Sequence, residues 1–150
     1  LVKSHKHENC NKGLIHMDAN SKDEIGIAGL IYLTPNANLN SGTSIYKLKK
    51  NHNFTKEDGK NILKLKEDLY LNDNVDEKKW DEIIEKNYSD FDETIRFNNI
   101  YNRLICYDTF SWHSAMSTNA GVDDRLTLVF FIRGIQARMY PIERMNTLQC

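Results

Sequence analysis

The chain has 150 residues, 40% of them hydrophobic and 10% aromatic, which suits one globular domain with its own core. Twenty basic against 21 acidic side chains leave a formal charge of −1, which argues against the broad basic field of a nucleic-acid or anionic-membrane binder. No apolar run approaches the roughly 20 residues that cross a bilayer, and three cysteines, Cys10, Cys106 and Cys150, without C-x-x-C spacing point to a reduced, cytoplasmic setting.

Early in the chain, LIHMDAN sets His16 and Asp18 two apart in an apolar stretch. On a strand both would project to one side and Ile15 and Met17 to the other. Such a pair suits a metal ion, and it equally suits the polar end of a half-buried strand. From Ile25 to Tyr46 the sequence predicts an apolar strand, a turn-rich PNANLNSG and a second strand opening at Gly42 or Thr43. The two would be joined as a hairpin or by a longer connection. The first strand, apolar at nearly every position, is expected to be buried on both faces, and the hydroxyl of Tyr32 within it then needs a partner.

From Lys47 to about Asp92 the character turns charge-rich and helical. Thr55 and Asp58 resemble a capping box, followed by Ile62, Leu63, Leu65 and Leu69 near one stripe, although KLKEDLYL also alternates well enough for a strand. Asp76 is a suitable N-cap for a second helix with Trp80, Ile83 and Ile84 on its apolar face. Residues 49–92 thus read as an inserted helical element or lid within a single domain spanning residues 1–150.

Strands return with ETIRF, a turn at Asn98 and Asn99, RLICY, a long loop DTFSWHSAMSTNAGVDD, and RLTLVFFIR, which looks like core apart from Arg125. Strands on both sides of helices predict a mainly β (α+β) domain, a closed or double-sheet barrel.

His113 lies in the long loop. Two histidines and a carboxylate, His16, Asp18 and His113, are the ingredients of a facial Fe(II) site with open positions, and no cysteine stands near them to suggest structural zinc. A surface histidine without a role is the competing reading of His113. Arg125 and Thr127 share a strand face and suit a carboxylate ligand; an ion pair from Arg125 to Asp123, Asp124 or Glu143 is the alternative. His5, His7, His52, Arg133 and Arg138 read as solvated surface groups.

The ordered set HMD, IYLTP with SGT, NRLICYDTFSWHS and DDRLTLVFF resembles the Fe(II)- and 2-oxoglutarate-dependent dioxygenases, and within them the prolyl-hydroxylase-like branch. The resemblance covers about residues 13–48 and 94–133 and leaves residues 49–92 unmatched. It implies a double-stranded β-helix (jelly-roll, cupin-like), with His16, Asp18 and His113 as ligands of Fe(II). Arg125 would be the main anchor of 2-oxoglutarate, with Tyr32 and Thr127 as helpers. Gly42 and Thr43 match part of that branch's Gly-(Glu)-Thr turn. The implied reaction uses O2 to hydroxylate a C–H bond of a peptide, amino acid or small metabolite, releasing succinate and CO2. The carboxylate of Asp18 favours hydroxylation, since related halogenases lack one at that position. Only fifteen residues precede His16, fewer than the family's fold places there, so an N-terminal segment is expected to be missing. Other classes compatible with the residues are a non-catalytic metal-binding barrel and a cupin-type metal-dependent isomerase or hydrolase.

Overall fold

The computed structural model of the protein describes residues 11–19, 26–50, 55–71, 76–121 and 125–134. His5, His7, Cys10, His52, Asp123, Asp124, Arg138, Glu143 and Cys150 lie outside them, as do the side chains of Leu63 and Leu69. In chain order the elements are β1 (Gly26–Tyr32), β2 (Thr43–Leu48), α1 (Lys56–Leu71), α2 (Glu77–Ser89), β3 (Phe91–Phe97), β4 (Leu104–Asp108), β5 (Trp112–Ala115) and β6 (Thr127–Arg133).

The six strands form two three-stranded antiparallel sheets, ordered β4-β1-β6 and β3-β2-β5. This is a β-rich α+β fold. Among the described residues the two sheets stay separate and close no barrel, which corrects that part of the sequence expectation. β1 and β2 lie in different sheets, so the segment between them is a crossover. It is too long for a tight hairpin, and it carries Asn36 at φ 55° and a 3-10 turn at Leu39–Ser41.

Alternation along the strands builds the core. Ala28, Leu30 and Tyr32 of β1 pack with Ile105 and Tyr107 of β4, and Ile45 of β2 and Phe97 of β3 meet them from the other sheet. The inner faces of the two sheets therefore share one cluster.

Both predicted helix starts are present. The Thr55 amide donates to the Asp58 carboxylate at 2.8 Å and the Asp58 amide to the Thr55 hydroxyl at 3.2 Å, a reciprocal cap that satisfies donors the first turn cannot. Asp76 accepts from the amides of Lys78 and Lys79 at 3.1 and 3.3 Å. α1 runs unbroken through KLKEDLYL to Leu71, so the strand alternative is not adopted. Trp80 and Ile84 bury the apolar face of α2 against Leu14, with Ile62 and Leu65 of α1 alongside.

The last strand departs from expectation. On β6, Leu128, Val129, Phe131 and Ile132 are about half exposed (51%, 52%, 46% and 48%). β6 sits at the end of its sheet with β1 as its ladder partner, so an apolar sequence here does not mean a buried one. β1, by contrast, is largely buried along its length, as its sequence predicts.

Candidate functional site

The segment carrying His16 and Asp18 runs beside β5. His16 and His113 exchange both backbone hydrogen bonds, 3.0 Å from the His16 amide and 2.9 Å from the His113 amide, while the Gly13 amide donates to Ala115 and the Asp18 amide to Thr109. Only one residue pair has ladder geometry, so this is an isolated bridge and not a regular strand. His113 itself stands on β5, which the sequence shows only as part of a loop. A four-residue strand reading Trp-His-Ser-Ala carries no alternating pattern to reveal it.

His113 pairs with Ile45, a member of the inner cluster, and so faces inward. The His16 ring lies 4.4 Å from it. Asp18 stands between the two: its carboxylate oxygens are 3.5 Å from His16 Nε2 and 3.4 Å from His113 Nε2. Each ring is fixed from behind. His16 Nδ1 donates to the Leu14 carbonyl at 2.8 Å and His113 Nδ1 donates to the Ser111 carbonyl at 2.9 Å. A carbonyl only accepts, so both Nδ1 atoms carry the proton, and it is the Nε2 atoms that are turned toward Asp18.

These three groups fit a metal ion. Their ligand atoms lie within 4.8 Å of one another, and two ligands each about 2.1 Å from an ion at right angles would stand about 3 Å apart. Imidazole Nδ1–H paired to a carbonyl is also how metal-binding histidines are commonly oriented.

A second polar group lies on the same inward surface. Tyr32 and Thr127 are directly opposite in the β1–β6 register, and Arg125, two residues before Thr127, sets its guanidinium carbon 5.9 Å from the Tyr32 ring centroid. Arg125 Nε donates to the Ser41 carbonyl at 2.7 Å and Nη2 reaches the Gly42 carbonyl at 3.5 Å. Gly42 has no room for a side chain: a Cβ there would collide with the Phe97 carbonyl. The Tyr32 and Thr127 hydroxyls are buried without a hydrogen-bond partner among the described residues. Thr43 adjoins the Tyr32 hydroxyl without reaching hydrogen-bond geometry. Burial pushes the Tyr32 phenol above its ordinary range, against the smaller opposing influence of Thr43 and of the Arg125 charge.

Tyr107 joins the two groups, and sequence reasoning missed it. Its ring packs 4.6 Å from His113 and belongs to the same cluster as Tyr32. Burial, then the nearby Asp18 charge, raises its phenol well above the usual tyrosine range. The period-two pattern of RLICY, which sends Ile105 and Tyr107 to one face, was the available signal. Trp112, adjacent in sequence to His113, turns the other way. It packs 4.9 Å from Phe91 in the cluster of Ile15 and Tyr46, and so belongs to the wall of the core.

A family model matches residues 6–132, and the chain belongs to that family, the family of unknown function DUF6445. No curated protein and no solved structure matches the chain.

Proposed function

We propose that this protein is an Fe(II)- and 2-oxoglutarate-dependent oxygenase that hydroxylates a C–H bond of a small molecule or peptide. The observation that carries the reading is the pairing, on one inward surface, of a His16–Asp18–His113 triad with a separate polar group made of Arg125 and the Tyr32 and Thr127 hydroxyls, which are buried with no hydrogen-bond partner among the described residues. A site for metal alone has no evident use for the second group. Two buried hydroxyls without partners carry a desolvation cost, and a bound carboxylate beside the guanidinium would relieve it.

The order of strands supports the double-stranded β-helix reading of the fold. The chain passes from one sheet to the other between β1 and β2, β3 and β4, β4 and β5, and β5 and β6, as a double-sheet jelly roll requires.

When bound, iron with 2-oxoglutarate and oxygen supplies the oxidising power for hydroxylation, with succinate and CO2 as co-products. The residues of the chain bind and orient. His16 and His113 would offer Nε2, and Asp18 a carboxylate oxygen, to the ion. Arg125, Tyr32 and Thr127 would hold the far carboxylate of the cofactor. Tyr107, its phenol kept neutral by burial and by Asp18, packs against His113 and helps to exclude water. No described helix is long and apolar enough to cross a membrane, and a cytoplasmic enzyme without a nucleic-acid partner is part of the same proposal.

The test is anaerobic titration of the purified chain with Fe(II) and 2-oxoglutarate, following the visible charge-transfer absorption of a chelated oxo acid. The band should require both components and vanish in His113→Ala and Arg125→Ala. Its absence from folded wild-type protein would overturn the proposal.

A further inference from the structure

Helix α2 packs on the face of the β3-β2-β5 sheet that points away from the triad, and its apolar contacts are those of an ordinary buttress. Trp80 and Ile84 bury against Leu14, and Tyr88 packs edge-on against Tyr46 at 5.7 Å. The end of the same helix face changes character. Asn87, one turn beyond Ile84, is buried, and burying an amide is costly unless both of its polar atoms are paired.

Both are paired, and to a single residue. The Ile15 amide donates to Asn87 Oδ1 at 2.8 Å and Asn87 Nδ2 donates to the Ile15 carbonyl at 3.3 Å. The segment bearing the first two ligands makes only an isolated bridge to β5. Asn87 therefore does for Ile15 what a neighbouring strand would do, and the next residue is His16.

Tyr88 performs a related task on both ligand-bearing segments. Its hydroxyl donates to the Gly13 carbonyl at 3.0 Å and lies 2.9 Å from the Ser114 hydroxyl. Ser114 follows His113, and its hydroxyl, which can donate to that of Tyr88, also lies 3.2 Å from the Tyr46 hydroxyl. One phenol thus ties the backbone three residues before His16 to the side chain one residue after His113.

We propose that Asn87 and Tyr88 are positioning residues for the metal triad, clamping the His16 and His113 segments from behind so that the two Nε2 atoms and Asp18 converge. This rests on the reading of the triad as a metal centre. A helix needed only for packing would be served by an apolar side chain at position 87. Instead, two successive polar side chains contact the two segments that carry ligands. Fixing the peptide planes beside each histidine fixes the direction of its Cα–Cβ bond and hence the reach of its ring.

The test is titration of the full chain with Co(II) alone, a spectroscopic probe of the site that needs neither 2-oxoglutarate nor turnover. It compares wild type with Tyr88→Phe, Asn87→Ala and Ile84→Val. The last removes one carbon from an apolar side chain of the same helix that packs beside Leu14 and Tyr88, and it removes none of the hydrogen bonds that make the clamp. Tyr88→Phe should bind Co(II) about tenfold more weakly, the lower end of what partners behind metal ligands contribute, with an altered visible spectrum. Ile84→Val should keep the wild-type affinity and spectrum even where its melting temperature falls as far. Asn87→Ala should match or exceed the Tyr88→Phe effect, and if it does not fold, Tyr88→Phe decides. Wild-type affinity and spectrum in Tyr88→Phe would overturn the clamp, as would equal weakening in Ile84→Val. A wild-type chain that binds no Co(II) would instead remove the metal centre itself, and the clamp with it.

Discussion

His16 and His113 are oriented by the same device. Each donates its Nδ1 proton to the carbonyl two residues earlier in the chain, at Leu14 and Ser111, so two rings from distant segments turn their Nε2 atoms toward one carboxylate. Asp18 is then the shared element. A metal ion that binds only the folded state raises stability by about 2.7 kcal/mol at a hundredfold excess over Kd. Thermal melts with Co(II) or Mn(II) should show this gain in wild type and none in Asp18→Ala. A persisting metal-dependent shift in that variant would move the metal to another site.

Tyr32→Phe separates stability from binding. The hydroxyl it removes is buried and has no hydrogen-bond partner among the described residues, so its loss breaks no hydrogen bond to them and relieves a desolvation cost. Stability should be unchanged or higher by up to about 1 kcal/mol. Affinity for 2-oxoglutarate should fall, because that hydroxyl is assigned to the cofactor's carboxylate. Chemical denaturation and cofactor titration together check it: lower stability with unchanged cofactor binding would make Tyr32 a structural residue.

Much of this arrangement was legible before any coordinates. The capping residues Thr55, Asp58 and Asp76 act locally, through hydrogen bonds to the next three amides, and so could be read from sequence. His16, Asp18 and His113 lie together, as do Arg125, Tyr32 and Thr127; those groupings are expected from the resemblance to a family's ordered motifs, since neither the isolated bridge at His16 nor the short β5 shows a strand period. The parts that escaped are those fixed by tertiary contact. β5 is too short to show a period, and β6 is apolar yet half exposed because exposure depends on neighbours. Asn87, Tyr88 and Ser114 are unremarkable polar residues in sequence. They gain a role only because α2 lies behind the two ligand-bearing segments.

Ile84→Ala tests how far the sheet depends on that helix. Ile84 is 1% exposed and packs with Leu14 and Trp80, joining α2 to the segment that carries His16. Truncating a buried isoleucine removes its transfer energy and leaves a cavity, for a loss of about 2–5 kcal/mol. Urea denaturation should show a lower midpoint with an unchanged slope. A loss under about 1 kcal/mol would mean that α2 is not firmly docked.

Alkaline pH should reveal the buried phenols. Tyr32, Tyr88 and Tyr107 all have pKa values raised above the ordinary tyrosine range, in each case mainly by burial. The unfolded chain ionises its tyrosines near pH 10, whereas the folded chain keeps these three neutral. Below that pH both states hold the protons and these groups add no pH dependence. Above it the unfolded state holds fewer protons than the native state, so stability falls as pH rises. One proton per group corresponds to about 1.4 kcal/mol per pH unit, so the three together approach about 4 kcal/mol per unit. Phenolate absorbance should therefore rise in two phases, the later one coinciding with loss of far-ultraviolet circular dichroism. If every tyrosine ionised near pH 10 with the fold intact, Tyr107 could not be the buried ring that packs against His113.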